Sequence, residues 1–176
     1  MKSTGIVRRI DELGRIVIPK EIRRTLRIKD GESLEIFVDK EMIILNKFSK
    51  ISNMEGIAKQ FADILFHSVN KNVFVTDSDR FIAASGSLKK KYIGGKISSF
   101  LENLIKNRKL SKSNELNEFE LLDKNKEFCS YVSSPIMVNG DVVGLVLIVS
   151  EYNDLTTLEE NLVIVTSQIL AKYVEE

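Results

Sequence analysis

Apolar and polar residues alternate along this chain with two different periods, and the change from one to the other marks its elements. Residues 33–38, Ser-Leu-Glu-Ile-Phe-Val, alternate at period two, as a half-buried strand does. Residues 42–45 return as a second strand across an Asp39-Lys40-Glu41 turn. Upstream, 5–10 and 15–18 are runs rich in branched apolar residues. They predict two more strands around an Asp11-Glu12-Leu13-Gly14 loop. Pro19 suits the first position of a short helix, Glu21 its first turn, and Arg23, Arg24 and Arg27 its end.

After a polar stretch at 46–53, where Ser52 or Asn53 suits a helix cap, the period changes. Ile51, Met54, Ala58, Phe61 and Leu65 recur at helical spacing, and so do Leu155, Leu158, Leu162, Val165 and Ile169. Each stripe fits either a helix lying on its own sheet or the seam of a bundle shared with a second subunit. Between them the pattern predicts strands at 72–76, 81–84, 118–122, 128–138 and 142–150. It also predicts a helix at 97–107, a loop at 92–96, a polar mobile stretch at 106–115 and an Asn139-Gly140 hairpin. The expected class is α+β. A small domain covers 1–50, and a second covers 51–176 with an antiparallel sheet flanked by helices 51–68 and 155–175. Four short strands and one helix make too small a core for a monomer, so the first domain is expected to be an obligate dimer.

Charge sharpens the division. Residues 1–30 hold nine cations against four anions, whereas the whole chain of 176 residues has a net charge of +1. Six of those nine cations are arginine, whose planar fork binds phosphate and the guanine edge in pairs of hydrogen bonds. The plainer reading is a solvated surface, with some arginines paired to Asp11 and Glu12. The basic segment has no aromatic residue before Phe37, which favours duplex contact over stacking on single strands.

The stretch TGIVRRIDELGRIVIPKEIRRTL at residues 4–26, followed by an acidic strand and a hairpin, resembles the N-terminal DNA-binding domain of the AbrB family of bacterial transition-state regulators. The folded C-terminal half resembles the sporulation regulators among them. The resemblance implies that two chains interleave their hairpins into one swapped-hairpin β-barrel. Arg8, Arg15, Arg23 and Arg24 of both copies would then face duplex DNA, with Lys2 and Arg9 as flanking contacts. It further implies control of late sporulation genes, by activation at some promoters and repression at others. MazE-type antitoxins share the small fold, so a promoter-binding antitoxin is a competing expectation. The order of elements in the second half is similar to a GAF domain, a small sensory fold. A third expectation is therefore a small-molecule sensor whose N-terminus only dimerises.

In GAF-type domains an effector sits between the sheet and the helix-loop layer, here 87–100, where Tyr92, Gly94 and Gly95 are candidates for lining a mouth. The plainer reading is that Gly-Gly relieves a bend. Asp77 and Asp79 suit a turn better than a catalytic pair, and Lys89-Lys90-Lys91 suits a solvated face. The single histidine, His67, allows no two-histidine site, and the single cysteine, Cys129, sits in an apolar strand as inert core. No nucleotide-binding or zinc-protease motif appears. The expectation is a DNA-binding regulator without catalytic residues, cofactor or metal. Its partners would be double-stranded DNA, its own copies as homodimer and homotetramer, and an unknown small effector. No membrane partner is expected, since the apolar run at 142–149 is too short to cross a bilayer as a helix. The expected location is the cytoplasm, on the nucleoid.

Overall fold

A computed structural model describes residues 5–47 and 55–175, and the chain divides into two compact units, Met1–Phe48 and Ser49–Glu176. Lys2, Ile51, Met54 and the cap candidates Ser52 and Asn53 lie outside the described residues.

The first unit consists of α1 (Lys20–Thr25) and a hairpin of β1 (Leu34–Asp39) and β2 (Met42–Lys47). Pro19 is extended at the helix N-cap, with Glu21 in the first turn and Arg23 and Arg24 in the last. The hairpin turns tightly between Asp39 and Met42, with Lys40 in the left-handed region. Lys47 ties the hairpin to the loop after α1: its ammonium donates to the Arg27 carbonyl (2.8 Å) and lies 3.4 Å from Glu32. The expected strands at 5–10 and 15–18 form no sheet within one chain. A strand needs a neighbour for its backbone groups, and among the described residues β1 and β2 pair only with each other. The apolar side chains follow suit, with Val7 84%, Val17 74% and Val38 76% exposed.

The second unit is a five-stranded antiparallel sheet in the order β4-β3-β7-β6-β5. Its strands are β3 (Asn72–Thr76), β4 (Phe81–Ser85), β5 (Ser111–Leu122), β6 (Asn125–Val138) and β7 (Asp141–Ser150). Helices α2 (Glu55–Val69) and α5 (Thr157–Glu175) pack on one face, and α3 (Lys89–Tyr92) and α4 (Ser99–Asn107) on the other. Strand periodicity sorts the side chains. Val73, Val75, Val146 and Ile148 meet α2 and α5, while Phe74, Leu145, Leu147 and Val149 meet α3 and α4. Burial on both faces explains the unbroken apolar run in β7. Gly144 lets β7 approach β3, since a Cβ there would sit 1.9 Å from the Thr76 carbonyl oxygen. Asn139 and Gly140 both have positive φ at the β6–β7 turn, as a tight hairpin requires.

Three expectations change. Residues 111–115 begin the long edge strand β5, paired with β6 from Ser111 opposite Ser133, so the expected mobile stretch is largely ordered. Tyr92 lines no mouth. It is fully buried, stacked on Phe74 (centroids 4.5 Å apart) and edge-on to Phe81 (4.9 Å), with its hydroxyl donating to Glu127 at 3.2 Å. The Tyr92 ring thereby fills the layer between sheet and helices. A Cβ on Gly95 would crowd the Tyr92 carbonyl oxygen (2.9 Å) and the end of the Leu122 side chain (2.4 Å). The helical stripes also part company. In α2, Ala58 and Leu65 lie against the sheet, but in α5 the sheet-facing residues are Val163, Thr166, Ser167, Leu170 and Ala171. Leu158 and Val165 of the expected α5 stripe are 54% and 51% exposed.

Candidate nucleic-acid interface

The basic residues of the first unit lie on three segments. Arg8 and Arg9 are exposed on the segment before the Asp11 turn, and Arg8 donates to the neighbouring Val7 carbonyl (3.0 Å). The turn is built by the Asp11 carboxylate, which accepts from the Leu13 and Arg15 amides (3.0 and 2.8 Å) and from the Arg15 guanidinium (2.7 Å). The Asp11 amide donates to the Arg15 carbonyl, and Gly14, at positive φ, closes the loop onto Asp11. The Arg15 amide and guanidinium hold the Asp11 carboxyl below the usual carboxylate range. Arg15 remains 71% exposed, so the pair orients its guanidinium without hiding it.

The third segment is the end of α1. Arg24 is exposed. Arg23 is half-buried, its guanidinium bonded to Asp30, and its Nε is buried with no hydrogen-bond partner. Arg23 is therefore partly committed to the scaffold, an effect invisible in the sequence because Asp30 lies beyond the helix. Among the described residues of the first unit, the exposed guanidinium groups are those of Arg8, Arg9, Arg15 and Arg24. Lys2 lies outside the described residues.

The other candidates behave as local structure. Asp77 accepts from the Asp79 and Arg80 amides (2.6 and 2.7 Å) and shapes the β3–β4 turn. Burial raises the Asp77 carboxyl, against those two amides. Lys91 pairs with Glu127. Burial pushes the Cys129 thiol up to about 12, unsuited to a nucleophile. No group of three or more His, Cys, Asp or Glu among the described residues could hold a metal ion. No described helix is long and apolar enough to cross a membrane.

Comparison with known proteins covers both units. Residues 53–175 match the family model described as "Stage V sporulation protein T C-terminal, transcription factor". Residues 7–52 match "Antidote-toxin recognition MazE, bacterial antitoxin". Stage V sporulation protein T of Bacillus subtilis is 43% identical over 178 residues, spanning all of both chains. Transition state regulatory protein AbrB of the same organism is 67% identical over 48 residues, 27% of this chain and 50% of that protein. The GAF domain of a phosphoenolpyruvate-protein phosphotransferase from Coxiella burnetii superposes with a TM-score of 0.55 at 14% identity. That match covers 70% of this chain and 89% of that one, and it shows the fold of the second unit. With the basic unit at one end and the GAF fold at the other, the chain belongs to the stage V sporulation protein T family of transcription factors.

Proposed function

We propose that this regulator binds duplex DNA as an interleaved homodimer of its first unit, with Arg8, Arg15 and Arg24 of both copies gripping the backbone and groove edges. Arg9 and Lys2 flank them, and Arg23 combines a contact with a scaffold role. The observation that carries this reading is the incompleteness of the first unit. Val7, Leu13, Val17, Ile36 and Val38 lie exposed beside the cations in a chain segment too short for its own core. A second copy supplies both the missing strand neighbours and the missing apolar cover. Phosphate contacts would then set register, and a subset of arginines would read base edges. The proposed role is control of sporulation genes, by activation or repression according to promoter. The protein acts by binding, not catalysis, and its one cysteine is buried and protonated.

The second unit offers a further self-contact. Leu158 and Val165 of α5 and Ile64 of α2 are exposed, and half-buried Leu162, Ile57 and Phe61 reach from the core towards the same surface. Two such pairs suit a four-helix seam between copies, which with the first contact yields a tetramer. Sedimentation equilibrium of the full chain tests the assembly. The expected species is a dimer or tetramer, and a monomer that still binds duplex DNA would contradict it.

A further inference from the structure

The second unit carries a basic corner that the first unit's chemistry does not account for. Between Glu102 and Glu115 the chain has four cations, Lys106, Arg108, Lys109 and Lys112, and no anion. Its surroundings are the opposite: residues 49–176 hold 15 Lys and Arg against 17 Asp and Glu. Lys112 is paired with Glu160 (2.5 Å), but Lys106, Arg108 and Lys109 are exposed and pair with no carboxylate among the described residues. Lys106 suits the C-terminal end of α4, where a cation complements the helix dipole. Arg108, the C-cap itself, lies at the same pole, whereas Lys109 lies beyond it. Arg108 occupies the left-handed C-cap (φ 56°, ψ 25°), a place where glycine or asparagine is the easier choice. The backbone there aims a long cation outward from the corner where α4 gives way to β5. Elsewhere in the unit, Lys91 pairs with Glu127 and Lys126 with Glu118 (3.2 Å).

We propose that Lys106, Arg108 and Lys109 form a second phosphate-binding surface, which holds the duplex backbone outside the stretch gripped by the first unit. The inference rests on the duplex-binding reading above. Covalent linkage to a DNA-bound unit keeps flanking phosphates at high effective concentration, so three modest contacts suffice. They add affinity without reading sequence.

The test compares the full-length parent with a triple variant, Lys106→Gln, Arg108→Asn and Lys109→Gln. Asparagine at 108 removes charge while suiting the left-handed backbone, and unchanged melting confirms the fold. A charge-keeping control, Lys109→Arg, should behave as the parent. Two duplexes carry one sequence selected for tight binding: one trimmed to the shortest core the parent still binds, one longer by about two helical turns on each side. The parent should bind the longer duplex more tightly. The variant should lose that gain, about tenfold or more, and its log-affinity against log-salt slope should flatten by about two to three. Both proteins should bind the trimmed duplex alike. Equal affinity of parent and variant for the longer duplex would overturn the proposal and leave the primary interface standing. Failure of the parent on both duplexes would overturn the duplex-binding reading itself. A variant that keeps the length-dependent gain but loses affinity for vesicles of anionic lipid would assign the corner to a membrane surface and equally overturn it.

Discussion

Single residues of this chain divide between holding the fold and facing a partner, and burial tells which. Glu159 and Lys71 belong to the first class. The Glu159 side chain is only 3% exposed, yet it receives the Lys71 ammonium at 2.7 Å and both the amide and hydroxyl of Thr156. Thr156 and Glu159 form a capping box at the start of α5, and Lys71 pins that start to the loop before β3. Burial opposes the Glu159 charge, but Lys71 and Thr156 outweigh it and hold the carboxyl at about 2, against an ordinary 4.5. Burial likewise opposes the Lys71 charge, and Glu159 with Asp154 raises its pKa above the ordinary value. A depressed folded-state carboxyl contributes stability above its unfolded pKa and loses it on acidification. Between pH 4.5 and 2, unfolding monitored by circular dichroism should lose on the order of 3 kcal/mol through this group. Glu159→Gln should flatten that acid limb. The Lys71 contribution runs the other way, present at neutral pH and lost only above its raised pKa. Arg15 and Arg24 belong to the second class. Their exposure leaves fold stability nearly indifferent to them, whereas Arg23, half-buried against Asp30, serves both ends.

At the scale of elements, period-two and helical patterns gave most of the second unit, because each of its helices and strands finds its partners within the chain. The hairpin at Asn139-Gly140 was legible from two residues whose backbone preferences admit one turn. Residues 111–115 were not legible as strand. Their pairing with β6 is set by register across the sheet, and Ser-Lys-Ser-Asn carries no apolar alternation. The α3 helix and the Tyr92 ring were missed for a similar reason: Tyr92 is buried by Phe74 and Phe81, which are distant in sequence. The α5 stripe was legible as a stripe but not as to its side, since a helix with apolar residues on two faces gives both the same spacing. The sheet-facing side is small and partly polar, with Ser167 bonded to Ser134 at 2.8 Å, while the outward side carries the larger Leu158 and Val165. Substituting Leu158 and Val165 by Ser should leave the melting of the second unit within about 1 kcal/mol, as expected for exposed positions. Size-exclusion chromatography with light scattering should then show tetramer falling to dimer. An unchanged tetramer would remove α5 from the contact.

At the scale of the whole molecule, the first unit shows what a sequence can specify without completing it. The runs at 5–10 and 15–18 have strand composition, yet neither forms a strand within one chain. The candidate cations were legible from charge asymmetry and from the Asp11-to-Gly14 loop chemistry. Their orientation depends on the Arg15 pairing with Asp11 and the Arg23 pairing with Asp30, which composition does not rank. The central claim is that two copies converge their exposed arginines on one duplex. Measuring duplex affinity across a salt series, for the parent and for a variant with Arg8, Arg15 and Arg24 replaced by Ala, tests it most directly. Three cations from each of two copies predict a parent log–log slope of about −5 or steeper, flattened by about five in the variant while sedimentation shows the same oligomer. A shallow parent slope, or a variant that matches the parent at every salt concentration, would contradict the account.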